Sequence, residues 1–270
     1  MAITVGTDPE FFVREIESQN IVPGCDRIGG SKVQPLPLPG MPPGFGIQED
    51  NVMAELTVPP SLSEEAFVST MAEALNSANE YLADRGLELV LGMPTYEFGD
   101  EVLGRYAGAT VVGCSPDFHA YSNGNQRSAI TAEGLGAYRY CGGHIHIGVT
   151  PNCPMHIAVM FADMFIGLPL VQNREHQGFR RGLYGQAGVY RPTPYGFEYR
   201  TPSNFWTTSE QMTGFVARQA FMLGEFLEGD ASRIRNAMMG INWRAVRTAI
   251  HEEDYSEAHR LYQNYHALLS

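Results

Sequence analysis

The stretch Cys141-Gly142-Gly143-His144-Ile145-His146-Ile147-Gly148-Val149 reads as a strand that offers two imidazoles to one side. Side chains alternate faces with period 2, so His144, His146 and Gly148 share a face opposite Ile145, Ile147 and Val149. At roughly 3.4 Å per residue the imidazoles stand about 7 Å apart and can enter one cavity, as metal ligands or as a merely solvated pair. With Cys141 they match no standard zinc spacing. Acids recur in the same way. Asp8 and Glu10 lie two apart in a strand over residues 2–15, and residues 45–58 read as a further strand with Glu49 and Glu55 on one face. Inward-facing like charges are costly unless a cation sits between them; the plain alternative is an acidic edge in water. Arg174, Arg180, Arg181, Arg191 and Arg200 crowd one segment, where Glu198 and Arg200 alternate with Phe197 and Tyr199. Lys32 is the sole lysine among 18 basic residues, so no P-loop lysine exists and phosphate recognition must rest on bidentate guanidinium groups. Carboxylates in this number suit Mg²⁺ or Mn²⁺, which commonly accompany phosphates. Acids, metals and arginines together describe phosphoryl transfer by electrostatics and positioning.

These residues need elements to hold them. The 270 residues are 44% hydrophobic and 18% charged, which fits a globular chain with a sizeable core. No linker or repeat divides it, so one domain over 1–270 is expected, mostly helical from about 203. The net charge of −12 argues against binding to a nucleic-acid backbone or an anionic membrane. Cys25, Cys114, Cys141 and Cys153 form no CxxC pair and read as reduced thiols. Met1–Gly6 lacks the features of a secretory leader and no run of 18 apolar residues occurs, so a cytoplasmic location is expected. The clearest helix spans 61–85, opened by a Ser61-x-x-Glu64 capping box and closed at Gly86. Pro154–Gln172 is apolar all round and predicts a buried helix whose Asp163 needs a partner. Thr110–Cys114 reads as a strand; Asp117 and His119 share a face and are read as capping the loop at Asn123-Gly124-Asn125, with substrate binding as the alternative. The Pro-rich run 35–44 is a flap or a rigid connector. His251–Asp254 reads as a solvated turn.

Four blocks carry a resemblance: Gly6-Thr7-Asp8-Pro9-Glu10-Phe11-Phe12, Asn51–Pro60, Cys141–Gly148 and Tyr184–Trp206. In this order they resemble the glutamine synthetase-like carboxylate–amine ligases, which include glutamate–cysteine ligase, and most nearly the predicted amidoligases of bacteriophages and some bacteria. The resemblance implies an α+β fold in which a curved antiparallel sheet forms a half-barrel with helices on its outer face. It implies ATP and Mg²⁺ (or Mn²⁺) as cofactors, and an amide formed through an acyl phosphate from a small-molecule or peptide carboxylate and an amine. Carried over by position, Asp8, His144 and Glu198 resemble the ligands of one metal, and Glu10 and Glu55 those of another. His146 resembles a contact to nucleotide phosphates, and Arg200 the arginine on the transferring γ-phosphate. Arg191 and either Arg180 or Arg181 resemble further phosphate contacts, and Glu49 is the candidate base. Asp8 departs from the family's usual glutamate and has a shorter reach. A phage-encoded chain would act in the host cytoplasm. Dodecameric assembly is not implied; a homo-oligomer stays open.

Rival readings remain. A phosphagen-kinase-like enzyme on this fold would phosphorylate a guanidino group and release no phosphate. A metal-dependent hydrolase using His144 and His146 would need no ATP. A non-enzymatic protein would tolerate loss of Glu10 and Arg200.

Overall fold

The computed structural model describes residues 2–110, 117–128 and 132–269. In chain order the strands are β1 (Thr4–Thr7), β2 (Glu10–Glu15), β3 (Ile21–Val22), β4 (Leu36–Pro37), β5 (Gly46–Asp50), β6 (Met53–Ser61), β7 (Leu87–Val90), β8 (Thr95–Glu97), β9 (Phe118–His119), β10 (Asn125–Gln126), β11 (Tyr138–Tyr140), β12 (Ile145–Gly148), β13 (Val189–Thr193) and β14 (Gly196–Tyr199). The longer helices are α1 (Glu64–Ala83), α4 (Met155–Ala162), which runs through a π-turn at Asp163–Gly167 into α5 (Leu168–Gln172), and α7 (Glu210–Glu228). Short α2 (Asp100–Leu103), α3 (Ala132–Leu135) and α6 (Phe179–Gly182) lie between strands. From Asn204 on the chain is helical, ending with α8 (Ala231–Gly240), α9 (Trp243–His251) and α10 (Tyr255–Leu269). The fold is therefore mixed α+β with an antiparallel sheet.

The main sheet runs β10-β9-β13-β14-β12-β1-β6-β2-β3, with β5 and β4 continuing from β6 and β7 pairing with β2. Its axis is the strand expected over 2–15, in two halves. Both β1 and β2 pair antiparallel with β6, Thr7 opposite Val58 and Glu10 opposite Glu55. At Asp8-Pro9 the strand changes its other neighbour, because Pro9 has no N–H to give a ladder. Before the break β1 pairs with β12; after it β2 pairs with β7. The chain's acidic pair thus sits where the sheet parts.

One sheet face is packed and the other carries the polar residues. Val5, Ile145, Ile147, Phe197 and Tyr199 are fully buried. Helix α7 packs on β1 and β12, α4 on β13 and β14, and α1 on β6 and β7. Burying each of these large side chains contributes about 1.5–3 kcal/mol. Helix α1 starts at Glu64 because the hydroxyl of Ser63, not Ser61, accepts the N–H of Ala66. Ser61 instead ends β6, so the Ser61-x-x-Glu64 box does not form.

A second difference concerns residues 45–58. They form a hairpin rather than one strand, because Asn51 adopts the left-handed conformation (φ 58°) that asparagine tolerates in turns. The turn reverses the face order: Gln48 lies opposite Glu55, and Glu49 opposite Ala54. Glu49 therefore leaves the face that Glu55 occupies, and Asp50 joins it.

The helix expected over Pro154–Gln172 is present. Met155–Gln172 is long and apolar enough to cross a membrane, yet 78% of it is buried inside the protein, which accounts for its apolarity. The strand read over Thr110–Cys114 falls mostly outside the described residues. Among those described, Cys25, Cys141 and Cys153 are free thiols.

Candidate active site

Register alone gathers one row of side chains across four strands. Arg191 on β13 pairs with Glu198 on β14, Glu198 with His146 on β12, and His146 with Gly6 on β1. His144 and Arg200, two residues along their strands, share that face. Asp8 follows β1 and closes the group. Its Oδ1 lies 3.2 Å from His144 Nδ1 and 3.2 Å from His146 Nε2. His144 Nδ1 is also 3.4 Å from Glu198 Oε1. Asp8, His146 and Glu198 each offer a ligand atom within 4.8 Å of the others, close enough for one metal ion. His146 thus joins the metal-capable trio, and His144 brackets Asp8 and Glu198 from the side. The ring of Tyr195 stacks on His146, and its hydroxyl lies 3.0 Å from Nδ1.

Beyond this group the row continues as a ladder of ion pairs. Arg191 Nη1 donates to Glu198 (3.1 Å) and Nη2 to Asp117 (3.2 Å). Arg200 reaches Asp117 through Nε (3.2 Å) and Glu198 through Nη1. Burial alone would raise the carboxyls of Asp8 and Glu198. His146 and His144 nevertheless hold Asp8 well below its ordinary value, and Arg200 lowers Glu198. Burial opposes charge on His146, but Asp8 outweighs it and raises the imidazole.

The second row is acidic. Glu10, Glu55 and Gln48 are successive partners across β2, β6 and β5. The peptide N–H of Gly142 donates to Glu10 (2.6 Å) and the Gln48 amide to Glu55 (2.6 Å). Burial, then the neighbouring Asp8, Glu10 and Asp50, pushes Glu55 up to about 8. Burial and Glu10 likewise raise Asp50. Carboxylates this close in a buried place favour a shared cation.

Both rows face one cavity, which encloses about 690 Å³ when its open mouth is included. Asp8, Glu10, Asp50, Glu55, His144, Arg180, Arg191 and Arg200 line it, as do Lys32, Arg139 and Tyr184. Arg180 is buried and donates to Gln177, Thr201 O and Arg200 O, and burial lowers its guanidinium to about 10. A second pocket is lined by His146 together with Thr4, Gly6, Val58, Pro60, Gly148 and Tyr195.

Two residues named from the sequence stand elsewhere. Glu49 accepts the N–H groups of Ile28 (3.1 Å) and Gly29 (2.7 Å) on the opposite strand face, so it holds a loop and does not face the acids. Arg181 pairs with Glu175 (2.9 Å) and Glu253 (3.3 Å) and donates to Gly185 O. Glu253 also accepts the N–H of Gln177 (2.6 Å), so the turn at 251–254 is a tether and not merely solvated. Two cavity residues, Asp50 and Lys32, escaped the sequence reading, and Asp117, which was named there, has a different role. Asp117 binds both arginines of the ladder instead of capping its loop. Asp50 needed the turn at Asn51 to be recognised. Lys32 gave no periodic signal.

Residues 128–264 match the family described as phage phiEco32-like COOH.NH2 ligase-type 2, half of the chain. The match takes in His144, His146, Arg180, Arg191, Glu198 and Arg200; the acids Asp8, Glu10, Asp50 and Glu55 precede it. No curated protein matches the sequence. A solved structure described as a novel glutamine synthase homolog aligns with 100% of this chain and 68% of its own, at 10% identity and a TM-score of 0.38.

Proposed function

The chain belongs to the phage phiEco32-like COOH.NH2 ligases of type 2, and from this premise we propose that it joins a carboxylate to an amine using ATP and Mg²⁺ or Mn²⁺, through an acyl phosphate. The observation that carries the reading is the meeting of two rows at one cavity: buried acids that want a cation, and a guanidinium ladder that wants an anion. We read the parted sheet as the half-barrel of glutamine synthetase type, its concave side holding both rows.

Asp8, His146 and Glu198, with His144 beside them, fit one divalent ion, and Glu10 and Glu55 fit another. The donor set is oxygen-rich with imidazole, which suits Mg²⁺ or Mn²⁺. When bound, such ions neutralise phosphate charge and align the reacting oxygens. In the first step the substrate carboxylate oxygen attacks the γ-phosphorus and the bond to ADP breaks. Arg200 and Arg191 face that phosphate and stabilise the charge spread over its oxygens, with Arg180 behind them. In the second step the amine nitrogen attacks the acyl carbon, the bond to phosphate breaks, and the amine gives its proton to a carboxylate. Asp50 takes that role in place of Glu49, since it lines the cavity and Glu49 does not. The second pocket at His146, floored by Gly6 and Gly148 and walled by Pro60 and Tyr195, suits the flat nucleotide base.

The test is turnover of Mg·ATP against pools of carboxylates and amines, read by mass spectrometry. ADP, phosphate and an amide are expected together. ADP without phosphate would favour the guanidino kinase, and product without ATP the hydrolase. A protein that does not bind Mg·ATP is not this ligase.

A further inference from the structure

The face opposite the cavity holds a buried acid that makes no salt bridge among the described residues, Arg181 acting on it only at longer range. Asp163 is fully buried in the π-turn between α4 and α5. Its carboxylate accepts three hydrogen bonds: from Tyr199 Oη (2.5 Å), from the N–H of Gly188 (3.0 Å) and from Tyr121 Oη (2.8 Å). Each donor lies on or at the end of a different strand of the ladder. Tyr199 stands on β14 between Glu198 and Arg200. Gly188 directly precedes β13, which carries Arg191. Tyr121 lies in the turn after β9, the strand that Asp117 directly precedes. One carboxylate therefore fastens, from behind, the three strands whose front faces present Asp117, Arg191, Glu198 and Arg200.

The surroundings are shaped to admit these contacts. A Cβ on Gly167, inside the π-turn, would stand 2.6 Å from the Tyr199 hydroxyl. A Cβ on Gly188 would meet the Tyr121 ring at 2.7 Å, and Gly188 has φ +75°. Packing alone does not account for the acid, because apolar side chains of similar volume commonly fill such places without loss of stability. π-Turns inside helices are frequent at functional sites. A satisfied buried acid would be a sufficient description if its donors were scattered; here they converge on the ladder.

We infer that Asp163 is a positioning residue, which sets the spacing of β9, β13 and β14 and through it the geometry of Glu198, Arg200 and Arg191 at the metal and phosphate site. The inference rests on the functional reading above for the site's ligands.

Tyr199→Phe removes one hydroxyl and keeps the ring; Asp163→Asn and Tyr121→Phe complete the set. Mn²⁺ binding followed by electron paramagnetic resonance, Mg·ATP binding by calorimetry, thermal melting and crystal structures of the variants are the readouts. In Tyr199→Phe we expect Mn²⁺ and Mg·ATP affinities to fall on the order of tenfold, with little change in melting temperature, and Glu198 and Arg200 to shift relative to Asp117. Affinities within twofold of the parent, or a ladder that superposes unchanged, overturn the inference. If the parent protein binds no Mg·ATP, the ligase reading fails; the positions of Glu198, Arg191 and Arg200 in the variant crystals then decide the positioning role by themselves.

Discussion

Glu10 and Glu55 stand directly opposite one another in the β2–β6 ladder, both buried, with a peptide N–H and an amide as their hydrogen-bond donors. Like charges in opposed positions weaken a sheet by up to about 1 kcal/mol. Burial and its acidic neighbours push Glu55 up to about 8, so above that pH, where the pair would carry like charge, Glu55→Gln should stabilise the metal-free protein by about that amount, a rise of roughly 2–4 °C in melting temperature. The same variant should lose most of the stabilisation that Mn²⁺ gives the parent. Thermal melts with and without Mn²⁺ check both halves; a variant that melts lower without metal contradicts the account.

Arg200 bridges Asp117 and Glu198 with a forked group that an ammonium cannot imitate. Arg200→Ala should reduce ATP turnover by about 10²–10³-fold, and Arg200→Lys should recover little of it. Steady-state kinetics on both variants, with circular dichroism to establish folding, are the measurement. Near-parental activity in the lysine variant would show that charge suffices.

Gly6 has room for one methyl group. An added Cβ would meet Pro60 and His146 at 3.5–3.6 Å, ordinary contact distances. The methyl would project into the second pocket, where the base is proposed to lie. Gly6→Ala should keep its melting temperature within roughly 2 °C, since surroundings without clash cost little, yet bind ATP more weakly. Comparing ATP with inorganic triphosphate separates base from phosphate recognition: only the former should suffer.

Burial raises the Asp163 carboxyl from 3.8 to about 6, against the hydrogen bonds of Tyr199, Tyr121 and Gly188. A folded-state value above the unfolded one means stability that is fully present below about pH 4 and lost as pH rises through 6, worth about 3 kcal/mol. Asp163→Asn should lack this dependence. Urea unfolding of both proteins at pH 4 and pH 7.5 should show the parent losing its relative advantage at the higher pH. An advantage that grows with pH would contradict the assignment.

The rows were legible in the sequence wherever period 2 held without interruption. His144 and His146, Glu198 and Arg200, and Asp8 and Glu10 share faces as alternation requires. Alternation failed at Asn51, where a single left-handed residue turned one expected strand into a hairpin and exchanged Glu49 for Asp50. The asparagine was itself a signal. Asp117 was singled out, but its pairing was not legible because its partners Arg191 and Arg200 lie more than 70 positions away. Asp163 was recognised as needing partners, but Tyr121, Gly188 and Tyr199 reach it through tertiary packing that local pattern does not encode. The distinction between Arg180 and Arg181 is likewise a matter of which way a one-turn helix faces.

Lys32 is the only side-chain amine in 270 residues, and it is exposed at the wall of the cavity. An acylating dye therefore has one side-chain address in this protein, the α-amine being the other reactive amine. It would install a fluorescent reporter at the mouth of the candidate active site without engineering, able to register the arrival of nucleotide, metal or acceptor before any product is known.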